Sequence, residues 1–135
     1  MPDAEKNQAP SQWGRRLARA VGEKFGVKMS ENFARNEGTH GKKDIVIKCA
    51  KSTSPPIFVL TDTLDRVDEV WGVFLTEDDT AEVWALSARQ VKDNAYFTSG
   101  PNVQSRAEIN YRKVRPLGKL VGLLTSEEVA DCRIP

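Results

Sequence analysis

The sequence predicts an α/β domain, α+β in the looser sense, with helices flanking one mixed central β-sheet. Three observations carry that expectation. Glu69–Leu75 is apolar on both faces, as a buried central strand must be. An acidic turn follows it, and residues 81–88 return as the second arm of an antiparallel hairpin. Upstream, Trp13, Leu17, Ala20, Val21 and Phe25 recur at helical spacing and define one buried helix face. A helix, an extended segment, a strand, a second helix, two strands and a mixed tail make a three-layer order. At 135 residues the chain is one domain, long enough to bury a core without staples.

Taken in order, residues 1–10 are polar and carry Pro2 and Pro10, so a disordered arm is expected there, with residues 11–135 as the single domain. Ser11 is an N-cap for a helix over residues 12–24, with Arg15, Arg16 and Arg19 off its apolar face and Gly26 at its end. Residues 27–33 read as a short extended segment. Residues 35–43, with Asn36, Gly38 and Gly41, read as a loop or hairpin turn. A β-branched strand over 44–50 comes next. At period two Ile45, Ile47 and Cys49 share one of its faces, and Asp44, Val46, Lys48 and Ala50 the other. Pro55 and Pro56 stop it, because proline cannot join a ladder.

Ile57, Leu60, Leu64 and Val67 then form a helical stripe, which predicts a helix over 57–67 with the prolines at its start. Ser87 caps a short helical piece over 88–93. Residues 95–105, punctuated by Gly100 and Pro101, read as a loop. Residues 107–114 alternate, with Ile109, Tyr111 and Lys113 on one side of an expected strand. Pro116 and Gly118 break it before the apolar 120–124. Thr125 and Glu128 stand in the capping-box relation and open a terminal helix that ends near Arg133.

A composition of 39% hydrophobic and 29% charged residues is that of an ordinary soluble globular protein. No apolar run approaches the roughly 18–20 residues that span a bilayer, and the N-terminus lacks an apolar leader, so the expectation is cytoplasmic with no membrane partner. Cys49 and Cys132 are too few and too far apart for a disulfide framework and are expected to be unpaired; with one histidine they offer no zinc pattern. His40, flanked by glycines, is expected to be an exposed loop residue. Trp71 and Trp84 are expected in the core, against each other or the helices.

The net charge of +1 hides an uneven distribution. Residues 1–56 hold eleven Lys/Arg against six Asp/Glu, residues 57–100 three against nine, and residues 101–135 six against four. Two basic stretches around an acidic middle suit a phosphate-attracting surface, for which the candidates are Arg15, Arg19, Lys42, Lys43, Arg112, Lys113 and Arg115. The last three flank Tyr111, a basic patch with an aromatic. Solvated faces of mixed sign are the plainer reading.

Lys48 is the residue that most demands an explanation. A lysine inside an apolar strand is costly to bury unpaired. Either it snorkels from an edge strand, or it serves a chemical site.

A helix, a strand carrying Asp44 and then Lys48, a following helix, and the hairpin Val70-Trp71-Gly72-Val73-Phe74-Leu75 with Glu82-Val83-Trp84-Ala85-Leu86 resemble the restriction-endonuclease-like PD-(D/E)XK superfamily. The resemblance covers residues 13–91. In that family an Asp begins a hairpin, and an acid and a lysine two residues apart line one face of the next strand. The carboxylates hold a divalent cation, and the lysine orients the attacking water and stabilises charge on the phosphate. The resemblance implies Lys48, Asp44 and Glu31 as catalytic residues, Asp44 and Glu31 as ligands of Mg2+, and DNA as the partner. Val46 departs from the pattern, standing where the acid belongs, and Asp44 lies about 13 Å along the strand from Lys48 at roughly 3.3 Å per residue. Either the acid has migrated, to Asp62, Asp65 or Glu37, or the site is dead. The implied function is a domain that acts on or binds DNA, hydrolysing phosphodiesters with metal if active. The alternative is a non-catalytic α/β module that docks a protein partner.

Overall fold

A computed structural model describes residues 2–30, 36–101 and 103–133. The chain forms α1 (Pro2–Phe25), β1 (Lys28–Met29), β2 (Glu37–His40), β3 (Lys43–Ala50), β4 (Ile57–Leu60), α2 (Thr61–Leu64), β5 (Glu69–Leu75), β6 (Ala81–Ser87), α3 (Ala88–Asn94), β7 (Tyr96–Gly100), β8 (Val103–Ile109), α4 (Tyr111–Leu117), β9 (Lys119–Leu124) and α5 (Ser126–Arg133). Six strands make the expected mixed sheet, in the order β1-β2-β3-β5-β6-β9. Its one parallel pair is β3 with β5, because β4 and α2 carry the chain back across between them.

The strands alternate their side chains between two cores. On one face Leu17, Ala18 and Val21 of α1 and Val129 of α5 pack against Ile45, Ile47, Trp71, Val73 and Val83. On the other, Val46, Val70, Phe74 and Leu86 meet Ile57, Val59, Ala107, Ile109, Val91 and Val114. That second layer is a separate antiparallel sheet, β4-β8-β7, together with α3 and α4. β5 is buried from Val70 to Leu75, as its two-sided apolar sequence requires.

Local cap signals read correctly. The Ser87 hydroxyl accepts from the Gln90 amide at 3.0 Å while the Gln90 side chain accepts from the Ser87 amide at 2.9 Å. The Thr125–Glu128 box closes the same way, at 3.2 and 2.8 Å. Glu128 also takes the Lys24 ammonium at 2.8 Å, tying α5 to α1, and that bond holds its carboxyl below the usual range.

Several elements differ from expectation. α1 starts at Pro2 rather than after Ser11, so residues 2–10, expected as a disordered arm, are its first turns; Pro2 stands at the helix start, where proline costs least, and Pro10 falls inside the helix. Residues 57–60 are a strand and not a helix: Ile57 and Val59 point inward, Phe58 and Leu60 outward, and β8 supplies the hydrogen bonds. Only Thr61–Leu64 turns helical. Residues 95–105 hold most of a β7–β8 hairpin instead of a loop. The strand expected over 107–114 ends at Ile109, where the Asn110 side chain accepts from the Lys113 amide and opens α4. The β4-β8-β7 sheet is thus an addition to the single sheet that was expected.

Both cysteines are unpaired. The Cys49 sulfur lies 3.7 Å from the Gly14 carbonyl oxygen beneath α1, and burial pushes its thiol up to about 12. Among the described residues, no helix is long and apolar enough to cross a membrane.

Candidate functional site

The β2–β3 hairpin turns at Gly41, whose φ of 63° suits glycine. Its register pairs Glu37 with Val46 and Thr39 with Asp44, so Glu37, Asp44 and Lys48 project from one face. Glu37, which the sequence placed in a loop, therefore stands directly across from Val46, beside the vacant acid position. Its carboxylate is already engaged. The Arg66 guanidinium donates to both oxygens, at 2.9 and 3.2 Å, and the bond raises Arg66 above its ordinary range.

Lys48 is on β3, two residues past the end of that strand's ladder with β2, and is paired there with Gly72 of β5. Among the described residues its ammonium makes no hydrogen bond or ion pair. Burial lowers its pKa below the usual 10.5, opposed in part by Cys49 and Glu37. Asp44 is exposed at the start of the strand, and its amide donates to Asp68 at 2.9 Å. Asp62 is exposed on α2, and Asp65 pairs with Lys92 at 3.0 Å. Glu31 lies outside the described residues. Among those described, no three His, Cys, Asp or Glu side chains gather to hold an ion.

Lys48→Met is expected to stabilise the protein by on the order of 1 kcal/mol at neutral pH, because the thioether replaces a poorly solvated charge at similar volume. The folded-state pKa of Lys48 is below its unfolded value, so between the two the unfolded chain binds more protons. The natural protein therefore gains stability as pH rises through that window, just below 10.5, and the gap to the variant narrows. Denaturant titrations at pH 7 and pH 10 check this; a gap that widens with pH runs against it.

A second constellation forms on the same face of the large sheet, beyond β5. There Thr53, Ser54, Trp84, Asn110, Tyr111, Arg112, Arg115 and Pro116 line an open cleft of about 920 Å³. Trp84 is the cross-strand partner of Gly72, while Trp71 pairs with Ala85, so the two tryptophans point to opposite faces rather than to each other. Trp71 is core, with His40, exposed at the end of β2, tilted against it at 5.3 Å. Trp84 keeps part of its surface. One oxygen of Glu82 accepts from both the Trp84 indole, at 2.9 Å, and the Tyr111 hydroxyl, at 2.7 Å. Burial, together with the hydrogen bond to Glu82, raises the Tyr111 phenol above its usual range.

Arg115 stands 5.6 Å from the centre of the Tyr111 ring. Among the described residues neither Arg112 nor Arg115 pairs with a carboxylate.

Of the seven basic candidates, these are the two that line the cleft. Arg15 and Arg19 belong to α1, on the opposite side of the sheet. Lys42 is exposed in the β2–β3 turn, and Lys43 pairs with Glu69 at 3.1 Å. Lys113 donates to the Asn94 carbonyl at 2.8 Å. The single basic surface envisaged from the sequence is thus divided between two sides. Sequence reasoning missed Trp84, read as core, and gave Thr53 and Ser54 no part in a site. The alternation of Glu82 and Trp84 against Val83 was the one local signal that this tryptophan faces away from α1.

Compared with known proteins, the chain matches no family model, no curated protein and no solved structure. What the fold and the cleft define is a three-layer α/β domain with a basic, aromatic-walled concavity.

Proposed function

We propose that this chain is a nucleic-acid-binding domain of restriction-endonuclease-like character that holds DNA without cutting it. The observation that supports it is the convergence of Arg112 and Arg115, free of carboxylate partners among the described residues, in a cleft walled by Trp84 and Tyr111. Guanidinium groups in that state suit phosphate, which they bind through a planar fork of donors. The hairpin with Asp44 and Lys48 supports the nuclease-like ancestry. Val46, and the capture of Glu37 by Arg66, speak against a working metal site. Phosphodiester hydrolysis with Mg2+ would require Glu37 to leave that guanidinium.

A protein-docking role is the second reading, favoured by Phe58, Leu60, Tyr96 and Phe97, all exposed on the small sheet.

The test is fluorescence anisotropy with labelled DNA between 50 and 200 mM salt. Binding should weaken about tenfold across that range if two phosphates are neutralised. Arg112→Gln/Arg115→Gln should flatten the salt slope by roughly two. DNA affinity unchanged by the double substitution would overturn the proposal.

A further inference from the structure

The walls of the cleft are more specific than a phosphate site needs. We infer that it holds one unstacked nucleotide of a single strand, the base against Trp84 and Tyr111 and the phosphate on Arg112 and Arg115. This deepens the nucleic-acid reading and rests on it.

Three features point the same way. First, the size: about 920 Å³ is at the upper end of small-ligand sites, which run roughly 300–1,000 Å³, so there is room for one nucleotide unit. Second, the aromatic walls are held in place. Trp84 and Tyr111 donate to the same Glu82 oxygen, and the Tyr111 ring is braced edge-on against buried Phe74 at 5.2 Å. Rings held this way offer a base a stacking surface at little entropic cost. A base inside a duplex has no free face to offer them, whereas a single-stranded one does.

Third, the polar groups come from separate elements. Arg112 and Arg115 lie three residues apart on α4, hence on neighbouring positions of one helix side, and Thr53 and Ser54 enter from the segment after β3. Arginine forks and hydroxyl donors together match a phosphodiester. Glu82, whose carboxylate takes both aromatic donors, does not line the cleft.

The chemistry is that of a nucleoside monophosphate unit, which a free nucleotide or a strand can supply. Three probes separate the cases: labelled oligothymidylate of about 12 nucleotides, inside the ~4–16 that single-strand modules cover, its duplex with oligoadenylate, and thymidine monophosphate. At one salt concentration the single strand should bind at least tenfold tighter than the duplex and quench tryptophan fluorescence. Trp84→Phe should remove most of that quench. Trp84→Ala should weaken the single strand by roughly tenfold, the scale of one lost base stack, with duplex affinity moving less than twofold. The quench on the natural protein serves even if Trp84→Ala does not fold.

A duplex bound as tightly as the strand, or a quench that persists in Trp84→Phe, overturns the inference and leaves the DNA reading standing. Thymidine monophosphate binding as tightly as the strand also overturns it, in favour of a free nucleotide. No binding of any nucleic acid sinks both.

Discussion

Phe74→Ala is expected to cost about 4 kcal/mol of folding stability, the scale of a fully buried phenylalanine lost from a core. Phe74 is 0% exposed and belongs to the core between the large sheet and the small one. Its ring also fills the space left by Gly72, where an added Cβ would meet Phe74 at 3.1 Å and Ile57 at 3.0 Å. Sheets fix both walls of this site, so the cavity collapses poorly, which favours the upper part of the range. A domain of this size should lose roughly 15 °C of thermal midpoint. Tyr111 loses its brace in the same variant. A denaturant titration giving a loss under about 1 kcal/mol would mean that the small sheet does not close over β5 as described.

Gly38→Ala is expected to cost about 3 kcal/mol, the upper end of overpacking penalties. A Cβ at Gly38 would sit 2.6 Å from the Lys28 carbonyl oxygen and 3.0 Å from the Met29 Cα, so the obstacle is backbone, which cannot swing aside. Relief requires β1 to leave β2, which pulls on Val27, buried in the α1 core. Gly14→Ala is the control. A Cβ there meets nothing within 4 Å, and alanine in a helix gains up to about 1 kcal/mol over glycine. Thermal melts of both variants decide the matter; equal, small shifts would show that β1 is not held against Gly38.

The candidate site was legible only in pieces. Lys48 and the missing acid at Val46 could be read from period two alone, since both are statements about one strand. That Glu37 stands opposite Val46, and that Arg66 occupies it, could not. The first depends on the register of a hairpin, the second on a residue 29 positions away. Likewise Tyr111, Arg112 and Arg115 were visible as a basic patch with an aromatic, but the Trp84 and Thr53–Ser54 walls come from other parts of the chain. The division of the basic residues between the two sides of the sheet follows from which helix covers which face, and charge counts carry no such information.

Part of this structure is settled among neighbouring residues. The apolar stripe of α1, the doubly apolar β5, the β5–β6 hairpin, and the caps at Ser87 and Thr125 are all of this kind. The rest depends on partners far along the chain. Residues 57–60 carry apolar side chains that suit either period, and they became a strand because β8, more than 40 residues on, offered a ladder. The same partnership made a sheet of the segment expected to be a loop. Short apolar runs are degenerate between helix and strand until a distant partner satisfies their backbone.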